Sequence, residues 1–293
     1  MEPDPQAPAL PSAPDQPLVS IVTPCHDCER FLALAIESVL AQTCPHWEML
    51  VQDDGSRDRS YAIAEEYARR DGRVKPARNP GNLGAAQTRN AAIARSRGKY
   101  LAFLDADDLW FPEKLEKQLA FMAANDCDFV FSEYEHVDEN GQSLGVRPRA
   151  IKRLTYGLML LHTFPGCLTV MYDQEKLGRV YGPDVPKCND RALFLRVLRR
   201  AENARGMPDC LALYRVRRGG ISHDKRKMLE PFVRVVHEFE GKPKIVAYFC
   251  AATHLVLKKF FKQRRVPARD YPFLAAASAR AASVTAAVFA DAD

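Results

Sequence analysis

The run Leu101-Ala102-Phe103-Leu104-Asp105-Ala106-Asp107-Asp108 carries an apolar segment straight into three carboxylates. Tyr100 to Leu104 has the length and aromatic content of a buried strand. Pro112 stands where a helix can begin, ahead of the amphipathic stretch Glu113 to Ala124. The acidic cluster therefore falls at the carboxyl end of a core strand, the edge where open α/β sheets hold ligands. Carboxylates this close repel one another unless a cation neutralises them. Hard oxygen donors suit Mg²⁺ or Mn²⁺, which in turn suit a diphosphate. An acidic loop that caps the next helix has the same composition, and these residues alone leave both readings open.

The elements around this cluster alternate. Leu18-Val19-Ser20-Ile21-Val22 reads as a short buried strand ended by Pro24. Glu29 to Ala41 has apolar residues at helical spacing (Phe31, Leu32, Ala35, Ile36, Val39, Leu40). Trp47 to Gln52 is a second strand, followed by Asp53-Asp54-Gly55-Ser56, and Asp58 or Ser56 is placed to cap a helix reaching Arg70. Val74 to Ala77 is a weak third strand, Asn79 to Gly84 a turn-rich loop, and Ala85 to Ser96 an Ala-rich helix that Gly98 stops. Strand and helix in turn predict a mainly parallel sheet with helices on both faces. Beyond Ala124 the pattern changes. Phe129 to Glu135, Cys167 to Tyr172 and Leu211 to Val216 read as strands, Asn140-Gly141 as a turn, and Leu154 to Leu161 and Asp190 to Arg200 as helices. Past Asp224 the chain reads as mostly helix, broken by Pro231, Pro243 and Pro267.

Composition sets the outer limits. The 293 residues suit one large domain with an appendage: a lead-in over 1–16, expected to be disordered, a catalytic domain over 17–225 and a helical extension over 226–293. Apolar content of 47% is enough for a real core, and a net charge of +5 is too mild for a dedicated nucleic-acid binder. The Cys residues have no framework-like spacing and no signal peptide is evident, so reduced thiols and a cytoplasmic location are expected. No segment reaches the roughly 18 to 20 apolar residues that span a bilayer. The nearest are Ile245 to Leu257 and the Ala-rich Phe273 to Ala290.

Five places, in order, give the chain its resemblance. They are Val19-Ser20-Ile21-Val22-Thr23-Pro24; Val51 to Asp58; Asn82-Leu83-Gly84 with Ala86 to Asn90; Leu104 to Asp108; and Asn189-Asp190 with Leu213-Tyr214-Arg215-Val216. Over about residues 17 to 225 the sequence resembles the family 2 glycosyltransferases. That resemblance implies the GT-A fold, a Rossmann-like mixed, mainly parallel sheet. It also implies inverting transfer of a sugar from a nucleotide diphosphate to a hydroxyl on a saccharide or lipid-linked saccharide, in cell-surface polysaccharide or lipopolysaccharide synthesis. The family pattern puts Pro24, His26, Asp53, Asp54, Asn82, Gly84, Arg89, Asp105 and Ala106 around the nucleotide. An aspartate ending the second strand can accept the uracil N–H, which implies a UDP donor. Arg89 is placed to contact the diphosphate. Asp105 faces ribose or metal, Asp107 coordinates Mn²⁺ or Mg²⁺ directly, Asp108 supports the metal from behind or caps a helix, and His223 is a third candidate ligand. Asp190 is the implied catalytic base.

The departures matter too. His26 stands where the family often has Tyr, and Asp27 where it has Asn. The usual Glu-Asp pair is Asn189-Asp190 here, and loss of a like charge should keep the Asp190 pKa lower than in that pair. Cys25-His26-Asp27-Cys28 has C-x-x-C spacing, but the second pair that structural zinc needs is missing. Arg217 to His223 suits a mobile anion-binding loop. Lys258 to Arg265 is basic with two phenylalanines, either a solvated helix face or a peripheral contact with an anionic membrane. Gln263-Arg264-Arg265-Val266 does not supply the Gln-x-x-Arg-Trp of processive members, so single transfers are expected. A nucleotidyltransferase is the first rival, but Pro24 to Glu29 offers neither glycine nor lysine for its phosphate loop. The second rival is a non-catalytic nucleotide-sugar-binding subunit.

Overall fold

The computed structural model describes residues 17–163, 165–217, 229–260, 264–267 and 270–290, with backbone alone at 258–260. The first half alternates as expected: β1 (Val19–Cys25), α1 (Glu29–Leu40), β2 (Trp47–Asp53), α2 (Ser60–Arg70), β3 (Ala77–Arg78), α3 (Ala85–Arg95), β4 (Tyr100–Phe103), β5 (Leu109–Trp110) and α4 (Lys114–Asn125). Then come β6 (Phe129–Val137), β7 (Val146–Arg147), β8 (Arg153–Leu154), α5 (Tyr156–Leu161), β9 (Met171–Asp173), α6 (Gln174–Leu177), α7 (Asn189–Leu198) and β10 (Ala204–Arg215). The last part holds α8 (Leu229–Arg234), α9 (Lys244–Phe260), β11 (Arg264–Arg265) and α10 (Pro272–Ala290).

The main sheet runs β3-β2-β1-β4-β9-β6-β10-β5, with β8 also on β10. β3, β2, β1 and β4 are parallel, whereas β9 lies antiparallel between β4 and β6. Strand order reverses at β1, so β2 and β4 flank it and their carboxyl ends open one crevice. Side chains alternate across the sheet. Ile21, Met49, Val51 and Ala102 join one core layer with residues of α1, α2, α4 and α10. Val22, Leu50, Leu101 and Phe103 join the opposite layer with residues of α3, α5, α7, α8 and α9.

Several expectations are corrected. The third strand pairs only through Ala77–Arg78 and an isolated Val74 bridge to Met49, because Pro76 between them has no N–H to give. The helix expected from Leu154 starts at Tyr156: Leu154 is paired to β10, and Thr155 caps α5 by accepting the Leu158 N–H. Cys167 to Tyr172 is a 3₁₀ turn over Cys167–Thr169 before the short β9, with the Thr169 hydroxyl donating to Gly166 O at 2.7 Å. β10 is twice as long as expected, starting at Ala204; the register shifts around Pro208 and Asp209 absorb the residues that read as a loop.

The C-terminal segment is not purely helical, since β11 pairs with β7. α10, at 19 residues, is long and apolar enough to cross a membrane by length and composition, contrary to the sequence reading. It packs on α1 and α2 through Ala277, Ala281, Val284 and Val288, with Arg280 paired to the buried Glu37 at 2.6 Å.

Gly98 does not stop α3, which ends at Arg95 with Ser96 as its cap. It is required for close approach: a Cβ there would sit 2.6 Å from the Ser20 N and 2.8 Å from the Val19 carbonyl carbon. The Gly98 N–H also donates to Ser20 Oγ at 2.8 Å. Gly98→Ala must push β1 from the turn that leads into β4, and should lower unfolding free energy by about 1–3 kcal/mol in urea titration with an unchanged m-value.

Candidate active site

The crevice is built first from two interlocked loops. The loop after β1 and the loop after β2 exchange backbone and side-chain hydrogen bonds. Asp27 N donates to Ser56 Oγ, Arg57 N to Asp27 Oδ1, Cys28 N to Ser60 Oγ, Glu29 N to Asp58 Oδ2 and Arg59 N to Glu29 Oε2, all between 2.8 and 3.0 Å. Asp58 thus serves both helix starts, since its Oδ1 takes the Ser60 N–H. Asp27 has φ +47, a conformation that Asp tolerates, and the Arg57 N–H holds its carboxyl below the usual range. Cys25 and Cys28 are buried free thiols under these loops, and Cys28 donates to His26 O.

The two aspartates that end β2 differ in their surroundings. Asp53 Oδ2 accepts from Ser56 N at 3.1 Å and pairs with Arg78 Nε at 3.0 Å, while Oδ1 is buried without a partner. Asp54 organises the next loop. It accepts the Leu83 and Gly84 N–H groups at 2.8 and 2.9 Å and the Asn79 amide at 2.8 Å. Burial would raise its pKa, but these donors outweigh burial and hold the carboxyl below its ordinary value. Gly84 precedes α3 at φ +84, which suits glycine alone. The same loop brings Asn82 Nδ2 to 3.0 Å from His26 Nε2, on the exposed rim above Pro24 and β1. The sequence reading named both residues; it did not foresee that they touch.

The acidic turn follows β4. Asp105 and Asp107 are partly exposed, while Ala106 and Asp108 are buried. Each acid has an arginine. Arg89 Nη2 donates to Asp105 Oδ1 at 2.9 Å, Arg217 Nη1 to Asp107 Oδ2 at 3.2 Å, and the Arg215 backbone N–H to Asp108 Oδ1 at 2.8 Å. Desolvation, then the charge of Asp105, push the Asp107 carboxyl up. Asp108 is raised further by burial and by both neighbours. Asp108 caps no helix: α4 starts at Lys114, and Asp108 instead anchors the end of β10. Arg217 also lines a polar cleft of about 280 Å³ with Asp27, Arg30 and Glu139.

Arg89 joins this turn to α7. Its Nη1 donates to Asn189 Oδ1 at 2.5 Å, so both Nη groups are committed to protein oxygens. Burial opposes the charge on Arg89, but Cys167, Asp105 and Asp190 around it outweigh burial. Asp190 is half-buried in the first turn of α7 and accepts the Arg191 N–H at 2.7 Å. Its carboxyl is pushed up by desolvation against the pull of Arg89. The expected lowering from the neutral Asn189 does not decide its titration; burial does.

Sequence reading missed other groups nearby. Cys167, fully buried, feels the charges of Asp105, Arg89 and Asp190, and a lone cysteine gave no signal. Tyr134, His136 and Tyr214 form an aromatic cluster with centroids 5.4 to 6.1 Å apart, and Tyr134 feels both Asp108 and Asp190. A strand over Phe129 to Glu135 was expected, but the meeting of its rings with Tyr214 was not. No group of three or more potential metal ligands converges among the described residues. His223, with the rest of the loop after Arg217, lies outside them.

The sequence model of glycosyl transferase family 2 matches residues 20–180. TuaG of Bacillus subtilis, a glycosyltransferase assigned to teichuronic acid biosynthesis, is 39% identical over 80% of this chain and 93% of its own. WfgD of Escherichia coli, named as a UDP-Glc:α-D-GlcNAc-diphosphoundecaprenol β-1,3-glucosyltransferase, is 34% identical over 80% of this chain and 91% of its own. Among solved structures, residues 1–349 of S. aureus TarS with UDP-GlcNAc superpose with TM-score 0.64 at 20% identity, covering 83% of this chain and 73% of that one. The mannosyltransferase PcManGT of Pyrobaculum calidifontis, with GDP-Man and Mn²⁺, gives 0.61 at 17% identity over 94% and 79%. The match runs from β1 through the acidic turn to just past α6, more than half of the chain, so the chain belongs to glycosyl transferase family 2 and is a glycosyltransferase of GT-A-like fold.

Proposed function

We propose that the enzyme transfers a sugar from a UDP-sugar, with inversion, to a hydroxyl of a lipid-linked saccharide during synthesis of a cell-surface polysaccharide. One observation carries the reading: Arg89 ties the acidic turn to the start of α7, which sets the Asp190 carboxylate beside Asp105 at the mouth of the β1–β4 crevice. The names of the relatives support UDP and a lipid-linked acceptor, and the TarS complex supports a uridine donor.

In this reading Asp53 Oδ1, an acceptor without a donor, takes the uracil N–H, and His26 with Asn82 flanks the base. Asp105 and Asp107 are oxygen donors on one turn, partly exposed, and their mutual repulsion fits a divalent cation of the Mg²⁺ or Mn²⁺ type. Such an ion, when bound, offsets the charge of the leaving diphosphate. Arg89 stays charged and holds Asp105 and Asn189 in place. Asp190 takes the proton of the acceptor hydroxyl as its oxygen attacks the anomeric carbon. The Tyr134, His136 and Tyr214 rings offer apolar faces for a sugar on the acceptor side.

Calorimetric titration with UDP, and with GDP and CMP as controls, tests the donor site. UDP binding that needs Mn²⁺ and is lost in Asp107→Ala is expected; binding indifferent to metal would remove the metal from the reading. Asp54→Asn should weaken UDP binding by about tenfold, because one amide oxygen cannot replace a charge shared by two backbone N–H groups. Asp190→Asn should keep UDP affinity and cut turnover by about 10²–10⁴; unchanged turnover would support a non-catalytic binder. A base works deprotonated, so turnover should fall as pH drops through the raised Asp190 pKa. That acid limb should lie above the ordinary carboxylate value near ~4 and vanish in Asp190→Asn.

A further inference from the structure

α9 leaves an apolar stripe in solvent. Ile245 is 79% exposed, Phe249 65%, Tyr248 61%, Val256 52% and Leu255 48%. With Ala252 they recur at i, i+3, i+4, i+7, i+10 and i+11, which is one side of a helix. The opposite side, through Ala247, Cys250 and Ala251, is buried in the core. The stripe is therefore not an unfinished core position but a second apolar face, larger than scattered surface residues produce.

Charge flanks this stripe at both ends. Lys242 and Lys244 precede it, Lys258 and Lys259 fall in the last turn of α9, and Arg264 and Arg265 follow, both exposed. From Gly241 to Arg269 the chain has no Asp or Glu. A second copy of the helix would bring lysines against lysines with no carboxylate to pair them. An acid-free apolar stripe between basic ends is complementary to a bilayer with anionic headgroups, where the rings enter the interface and the lysines reach the phosphates.

The helix backs the turn that carries Asp190 through two intervening side chains. Arg191, next to Asp190, stacks its guanidinium over Phe232 of α8 at 3.4 Å, and Phe232 meets His254 of α9 at 4.9 Å. We infer that the exposed face of α9, with its basic flanks, docks the enzyme on an anionic lipid surface. This does not depend on the donor reading, and it assigns the apolar stripe a role that the basic segment alone did not suggest.

Co-sedimentation with vesicles tests it, using phosphatidylcholine alone and phosphatidylcholine with phosphatidylglycerol in equal parts. The full chain should partition onto the anionic vesicles and not the neutral ones, less so as salt rises. Tyr248→Ser with Phe249→Ser, both exposed sites, should reduce partitioning by about tenfold, and Lys258→Glu with Lys259→Glu by at least as much. UDP titration of the same variants should be unchanged, which separates a docking defect from a failed donor site. No partition onto anionic vesicles, partition indifferent to these substitutions, or a dimer in sedimentation velocity that Tyr248→Ser with Phe249→Ser abolishes would overturn the proposal.

Discussion

Repulsion among Asp105, Asp107 and Asp108 is the constraint around which the site is arranged. Three carboxylates on one turn, one of them fully buried, are unstable without nearby positive charge or N–H donors. The chain meets this with groups from far apart in sequence: Arg89 from α3, and Arg215 and Arg217 from the end of β10. Arg215 does more than donate its N–H. Its Nε donates to Asp107 O and its Nη1 to Glu139 O, so the acidic turn and the ends of β6 and β10 are fixed as one unit. These polar ties add to the apolar packing of Ala106 in the same core cluster as Leu211 and Ala212 of β10.

The rim of the crevice rests on a different device. The loops after β1 and β2 stabilise each other through side chains that satisfy backbone N–H groups at both helix starts. Asp54 extends this to the loop before α3. A rigid rim of this kind lets the crevice stay polar without leaving buried backbone groups unpaired. Among side-chain atoms here, Asp53 Oδ1, Thr23 Oγ1 and Arg89 Nε are buried without a partner.

Asp190 connects these parts to the rest of the molecule. Arg89 reaches its neighbour Asn189 from the front, and Arg191, buried and bonded to Leu160 O at 2.7 Å, holds the same turn from behind. Burial pushes the Arg191 guanidinium down to about 10 without neutralising it near pH 7. Asp190 is therefore set between two charged side chains, one facing the crevice and one facing α8 and α9.

Local patterns determined much of this protein. The apolar strands around Ile21 and Leu50, the helical spacing in α1, and the acidic cluster at a strand end were all legible, because these patterns depend only on neighbours along the chain. The motifs that carry the family resemblance are contiguous, and the structure brings several of them together at one crevice. Pairing was not legible. The full length of β10 depends on β6 beside it, Gly98 on the backbone of β1, and the arginine partners of the three acids on contacts 16 to 110 residues away. The direction of the Asp190 shift also belonged to the tertiary structure, because desolvation is set by what packs around a carboxyl and not by the residue beside it in sequence.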